Sequence, residues 1–365
     1  MKNILTIAIV LASVNVFASR ASTNALGNSA HITDQYSPEV IAVDGQSLVI
    51  ETGTTSSTLV TADAANPKYA EGQLTKTVGP GNLSLTLGHQ DLTVWTNRNA
   101  VGIAAVLTQQ NPLELTYGMK MDDMAFGAGL IYSNYDRKET LPTKAQKESS
   151  VGLKFGVATS VFYGRAKIIL VDKYVDDATA IDYKAKTTFD LTGGMNFGST
   201  SVHGQIAIGG AKVTTSGNDF KDTEGMTISV KVVDTIKSEG NDFFYGAGLV
   251  SNSLKEKKVD TKTTTLNLPL IIGLEATATS WLKLRASVTQ DVLLSNEKTT
   301  DATTPANDTE ANPGLNTTKF AAGAGLTYNK LMVDGSLTAA STVDPSVQSI
   351  NANNLLGSVS LTYKF

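Results

Sequence analysis

The feature that most constrains this chain is a two-residue alternation of apolar and polar side chains, repeated along nearly its whole length. In residues 265–276, Leu266, Leu268, Leu270, Ile272, Leu274 and Ala276 fall on one face, and Thr265, Asn267, Gly273 and Glu275 on the other. In residues 281–291, Leu282, Leu284, Ala286 and Val288 alternate with Lys283, Arg285, Ser287 and Thr289. Residues 320–328 put Phe320, Ala322, Ala324, Leu326 and Tyr328 together, opposite Ala321, Gly323, Gly325 and Thr327. A helix would scatter these charges around its circumference, whereas a strand collects them on one side. Thr, Val, Ile, Tyr and Phe dominate the runs, as a pleated surface prefers.

Sixteen such runs are predicted, at 47–52, 69–78, 82–90, 112–121, 124–135, 148–157, 161–174, 184–197, 200–213, 224–237, 241–254, 261–277, 281–294, 317–328, 331–342 and 355–365, within a range of 14–18 strands. Their links alternate in length. Short ones near 79–81, 122–123, 158–160, 198–199, 238–240, 278–280 and 329–330 carry turn residues such as Gly79-Pro80-Gly81, Asp122-Asp123 and Asn329-Lys330. Longer ones fall at 53–68, 91–111, 136–147, 175–183, 214–223, 255–260, 295–316 and 343–354, and are rich in Asn, Asp, Thr, Ser and Lys. A soluble sandwich has no reason to keep that alternation. A transmembrane antiparallel β-barrel does, because its periplasmic turns are short and its extracellular loops long. An even strand number leaves both barrel ends on the periplasmic side.

Composition agrees with an all-β membrane barrel. Hydrophobic residues make up 41% of the chain and charged residues 18%, against about 25% charged in an average soluble domain. A net charge of −4 recommends no nucleic-acid partner, and the absence of Cys excludes disulfides and thiolate metal sites. Beyond residue 18 no run of about 18 apolar residues indicates a membrane helix. The first residues read as a Sec signal peptide: Lys2, an apolar core at 4–12, and Val16-Phe17-Ala18 before a cleavage point after Ala18. The expected organisation is 1–18 signal peptide, 19–46 a periplasmic segment or partial plug, and 47–365 barrel.

The chain ends in an alternating strand, with Leu355, Gly357, Val359, Leu361, Tyr363 and Phe365 on one face and Ser358, Ser360, Thr362 and Lys364 on the other. This terminal aromatic strand resembles the closing strand of the bacterial outer-membrane β-barrel porin family, in which it is read by the barrel assembly machinery. The early segments Asn24-Ala25-Leu26-Gly27, Tyr36-Ser37-Pro38-Glu39-Val40, Glu51, Gly53 and Ala70-Glu71-Gly72 resemble the start of the porin-like major outer-membrane proteins of predatory and related Gram-negative bacteria, which often carry Asn-Pro-Ala where this chain has Ser-Pro-Glu. The resemblance implies an outer-membrane location, contact with outer-membrane lipid, assembly through Tyr363 and Phe365, no cofactor, and a trimer as a compatible assembly.

Lipid offers no hydrogen-bond partners, so a spanning sheet closes on itself, and sixteen strands enclose an aqueous lumen. Taking the polar face of each run inward gives basic candidates Lys120, Lys154, Arg165, Lys167, Lys184, Lys186, Lys231, Lys283, Arg285, Lys319 and Lys364. Acidic candidates are Glu51, Glu71, Glu114, Asp190, Asp242, Glu275, Asp291 and Asp334. The clearest pore-lining residues are Arg165, Lys167, Lys283 and Arg285, followed by Lys154, Lys231 and Glu275. The basic excess points to a weak anion preference, through the summed field of the wall. Strict parity puts Trp281 on the lumen face. The apolar stretch 100–107 reads best as a loop folded into the lumen, with a further lipid-facing strand as the alternative.

Passive diffusion of small hydrophilic solutes or ions is the function these features favour. A structural or adhesive barrel with partner-binding loops is the alternative, and a barrel-embedded hydrolase a weaker one. His89 with Asp91 two residues on is the sole acid–base spacing of note, and no catalytic or metal-ligating residue is expected. An active transporter of the plugged 22-strand type needs a longer chain.

Overall fold

Outward-facing side chains along successive strands are apolar and exposed, whereas inward-facing ones are polar and buried. On one strand Leu270, Ile272 and Leu274 are exposed, with Ile272 at 54%. Their counterparts Val230 and Val232, Ile206 and Ile208, and Leu191 on other strands are exposed likewise. Ser84, Thr86, Glu114, Thr116, Ser133, Ser150, Ser287, Ser358 and Ser360 are buried on the opposite face. A sheet that hides its serines and shows its leucines is built for an apolar surrounding and a polar interior.

The computed structural model describes residues 19–26, 35–54, 68–89, 112–140, 143–294, 297–301, 309–311, 317–342 and 355–365. The expected signal peptide and the stretch 91–111 lie outside the described residues. Sixteen antiparallel strands close into one barrel. They are β1 Ser47–Thr54, β2 Lys68–Val78, β3 Gly81–Leu87, β4 Leu113–Met121, β5 Met124–Thr140, β6 Thr143–Ala158, β7 Phe162–Asp176 and β8, in two pieces, Ile181–Ala185 and Thr188–Phe197. Next come β9 Thr200–Thr215, β10 Asn218–Ser238, β11 Asn241–Glu256 and β12 Thr261–Thr279. The last four are β13 Leu282–Leu293 with an outlying piece Glu297–Asp301, β14 Thr317–Tyr328 with an outlying piece Thr309–Ala311, β15 Leu331–Thr342 and β16 Leu355–Lys364. Both pieces of β8 pair with β7 and with β9, and both pieces of β13 pair with β12, so each counts as one strand. Closure comes from β1 against β16, with Ser47 opposite Lys364 and Ile50 opposite Leu361. Two short helices precede the barrel, α1 Arg20–Ala25 and α2 Pro38–Asp44.

All sixteen expected strands are present, but several expected loops are ladder instead. The link placed at 214–223 shrinks to Ser216 and Gly217, both at positive φ (52° and 77°), the two-residue turn that matches strand twist. The links at 136–147, 175–183 and 255–260 shorten in the same way. Backbone hydrogen bonding does not stop where the apolar side chains stop, so hairpins continue beyond the lipid-facing band.

Three lumen assignments are corrected. Lys184 and Lys186 face outward. The residues flanking Lys184, Tyr183 and Ala185, pack inward with Tyr174, Ala211 and Val213, while Lys186 reaches Asp222 and Glu224 on the outer face of β10. The cause is the break between the two pieces of β8, where three residues, 186–188, stand against two on β9, 209–210, and parity reverses. Trp281 is 54% exposed and lies in the turn before β13, where strand parity no longer applies. It joins Phe162, Phe197, Phe243, Tyr245, Tyr328, Tyr363 and Phe365 as exposed aromatics at the short-turn end, a rim of the kind that marks a membrane interface.

Candidate functional site

The inner wall and the N-terminal residues form one structure. Helix α2 starts at Ser37-Pro38-Glu39, with proline in its first turn, where no amide partner is lost, and an acid at the positive end of the dipole. It lies against β3, β4, β5 and β6, and α1 against β13, β14, β15 and β16. Leu26 packs with Val233 and Phe244 of β10 and β11. The described N-terminal residues therefore touch separate arcs of the inner wall, near its short-turn end.

Glycines make the seat. A Cβ at Gly118 would stand 2.5 Å from the Pro38 carbonyl, one at Gly127 would stand 2.6 Å from it, and one at Gly156 would overlap the Glu39 carboxylate. A Cβ at Gly323 would stand 2.6 Å from the Ala25 methyl. Polar groups then fix the seated segment. Asn82 Nδ2 donates to the Ile41 carbonyl at 2.9 Å, Ser287 Oγ to the Ala25 carbonyl at 3.0 Å, and Ser19 Oγ to Asp334 Oδ2 at 3.3 Å. Ser19 also caps α1, accepting from the Ser22 amide at 3.0 Å.

Most of the expected pore-lining bases are committed to carboxylates here. Arg165 Nε pairs with Glu39 Oε1, and the guanidinium lies 4.6 Å from the Tyr163 ring centroid. Lys154 Nζ pairs with Glu114 Oε2 and donates to the Tyr36 carbonyl at 2.8 Å. Glu275 takes Lys283 Nζ at 2.7 Å and Arg285 Nε at 2.6 Å, while Arg285 Nη1 reaches Asp334 Oδ1 at 2.6 Å. Lys167 stands across the ladder from Asp190, which also accepts from Gln205 and Thr192. Lys231 faces Asp291 and Lys319. At the other end of the chain, Tyr363 and Phe365 meet edge to face at 5.5 Å, and the Phe365 amide donates to the Gln46 carbonyl at 3.1 Å.

Tyr36 and Glu39 are the functional side chains that strand parity could not reveal. The Ser-Pro-Glu helix start was the available signal, but nothing in it says that the helix sits inside the barrel. His89, weighed as a hydrolase residue, contacts Glu114 Oε1 through Nδ1 at 2.6 Å and stacks on Tyr36. Its spacing to Asp91 falls outside the described residues. A cavity of about 610 Å³ remains in this part of the barrel, lined among others by Tyr36, His89, Lys154, Arg165, Lys167, Asp190, Gln205, Thr227 and Asn252. Among the described residues no group of three His, Asp or Glu side chains is arranged to hold a metal ion.

The sequence matches no family model and no curated protein. Among solved structures the chain is similar to a bacterial polysaccharide outer membrane secretin at 8% identity and TM-score 0.48, over 88% of this chain and 98% of that one. It is similar to a loop L8 deletion mutant of OmpT, an outer membrane protein of Vibrio cholerae, at 12% identity and TM-score 0.43, over 88% and 97%. A porin matches at 9% identity and TM-score 0.40, over 88% and 99%.

Proposed function

We propose that this protein is an outer-membrane channel for passive passage of small hydrophilic solutes or ions, with residues 19–46 acting as a partial plug. The observation that carries the reading is the closed sheet with apolar residues outside and polar residues around an internal cavity of about 610 Å³. Such a sheet is stable in lipid and encloses water. On this reading residues 1–18 direct export by the Sec route, the short turns lie in the periplasm and the long links face outward. Phe365 and Tyr363 engage the assembly machinery, and no catalytic step is assigned.

The ion pairs limit selectivity. A base held against a carboxylate presents a dipole rather than a net charge, so Lys154, Arg165, Lys283 and Arg285 contribute little long-range field. Any anion preference then rests chiefly on Lys231. Planar-bilayer recording tests the proposal. Stepwise conductance is expected from the purified protein, increasing when residues 19–46 are deleted. A correctly folded barrel that stays electrically silent in both forms would overturn it in favour of a structural or adhesive barrel.

A further inference from the structure

The two plug helices lie against β3 to β6 and against β13 to β16, and the cavity opens along the arc between them. One row of the ladder crosses that arc on the inner face. Lys167 stands opposite Asp190, Asp190 opposite Ala207, Ala207 opposite Thr227, and Thr227 opposite Asn252. Ala207 puts only a methyl group in the middle of the row, which leaves a trough between polar ends. At about 4.8 Å per strand, Asp190 and Asn252 stand about 14 Å apart. The cavity volume, about 610 Å³, falls in the range of small-molecule sites, about 300–1,000 Å³.

The polar groups of the trough are amides and hydroxyls with capacity to spare. Gln205 Nε2 donates to both Asp190 oxygens, at 3.1 and 3.0 Å, and Thr192 Oγ1 donates to Asp190 Oδ1 at 3.1 Å. Thr227 Oγ1 donates to Asn252 Oδ1 at 2.9 Å. The Gln205 carbonyl can therefore still accept and the Asn252 amide can still donate. The bases around the cavity are matched: Lys154 with Glu114, Arg165 with Glu39, and Lys167 with Asp190 across the ladder. An ion entering here meets dipoles and no net charge. Leu254 lies two residues from Asn252 on the same face, lines the cavity and is 40% exposed. Its ladder partner is Gly225, and Leu254 Cδ1 lies 3.7 Å from where a Cβ there would stand, so the leucine has room to lean over the glycine.

The geometry points to a subsite for a neutral oligosaccharide in the lumen, with Asp190, Gln205, Thr227 and Asn252 holding hydroxyls and Leu254 meeting the C–H face of a ring. The inference rests on the channel reading and names the solute class that the channel takes. Each sugar hydroxyl both donates and accepts, which suits a wall that offers both. Carboxylates and ammonium ions find no uncommitted charge to hold them. An exposed leucine among amides matches a solute with apolar faces and polar edges.

Planar-bilayer conductance titrated with maltotriose tests it, beside glycine and a polyethylene glycol of the same hydrodynamic size. Maltotriose should lower the conductance saturably, and neither control should do so at equal concentration. The half-saturating concentration should rise on the order of tenfold in the double variant Gln205→Ala, Asn252→Ala. Leu254→Ser should raise it as well, and Leu254→Met should restore it. A conducting barrel that ignores maltotriose would overturn the subsite and leave the channel standing. Equal block by the polyethylene glycol would reduce the effect to volume exclusion and overturn it too. Unchanged half-saturation in folded double variant would overturn the assignment of these residues. If the barrel is electrically silent, calorimetry of the detergent-solubilised protein decides. Maltotriose binding that weakens in the double variant would keep the subsite while defeating the channel reading, and no binding would overturn both.

Discussion

Tyr36 lies against His89 with ring centroids 4.2 Å apart and planes 25° apart, and its hydroxyl donates to Glu71 Oε1 at 2.8 Å. One side chain thus ties the N-terminal segment to β2 and to the start of the link after β3. Tyr36→Ala removes the stack, worth about 0.5–1.5 kcal/mol, and the hydrogen bond to a carboxylate, worth about 1.5–3 kcal/mol. The segment should become cleavable by protease and single-channel conductance should rise. Tyr36→Phe keeps the stack and should fall between the two.

Gly127→Val tests the seat of α2 directly. The added Cβ meets the Pro38 carbonyl at 2.6 Å and the Tyr117 carbonyl at 2.8 Å. The helix, not the sixteen-strand ladder, has room to give way. The expected result is a barrel that keeps its gel mobility shift on heating, with greater conductance and an accessible N-terminus. Gly204→Ala, whose Cβ would meet only the Ser229 carbonyl at 3.8 Å, should change neither.

Strand positions were legible because each strand shows one face to lipid and one to water, and side-chain period alone reports that. Parity read from sequence survived for Arg165, Lys167, Lys283 and Arg285, whose strands run without interruption to those positions. It failed at Lys184 and Lys186 because a break of one residue leaves no mark in composition. Glu39 and Arg165 are 126 positions apart, and Arg285 and Asp334 are 49 apart. Such partners are set by barrel closure and by the plug, so a local pattern could supply the charges but not their pairing.

Arg285 bridges Glu275 and Asp334 and is itself buried. Arg285→Met leaves two carboxylates short of their partner, a loss of about 3–5 kcal/mol for a broken buried pair. The midpoint of heat-induced unfolding should fall. Adding Asp334→Asn should recover part of it, since one orphaned charge is removed.

Selectivity should follow the net charge of the wall. Reversal potentials in a salt gradient should move toward cations in Lys231→Gln protein, which loses a base beside Asp291 and Lys319. The double variant Lys283→Gln, Glu275→Gln removes an ion pair without changing net charge and should shift them little. Equal shifts from both would show that ion pairing does not quiet the wall.

Glu224 lies on the outer face beyond Met226 and Ile228, outside the apolar band. Hydrogen bonds from Lys257 and then Lys186 hold its carboxyl at about 2, against an ordinary value of 4.5, with a small opposing effect of burial. A depressed carboxylate contributes stability that is complete above pH 4.5 and is lost as pH falls toward 2. Unfolding midpoints should therefore drop across that window, and Glu224→Gln should flatten the slope there while leaving higher pH unchanged in slope.

The C-terminal strand offers a way to separate closure from recognition. β16 pairs with β1 from Lys364 opposite Ser47 to Ser358 opposite Gly53, and with β15 from Tyr363 opposite Leu331 onward. Phe365 adds only one backbone bond, to Gln46, and its edge contact with Tyr363. Deleting Phe365 should thus leave refolding from denaturant into detergent close to that of the unaltered chain. If the terminal aromatic is the signal read by the assembly machinery, the same deletion should sharply lower the amount of folded barrel in the outer membrane of expressing cells. Deleting 355–365 removes the closing strand and exposes both edges, so it should abolish folding in both settings. Normal cellular levels after loss of Phe365 would assign recognition to the strand as a whole and not to its last residue.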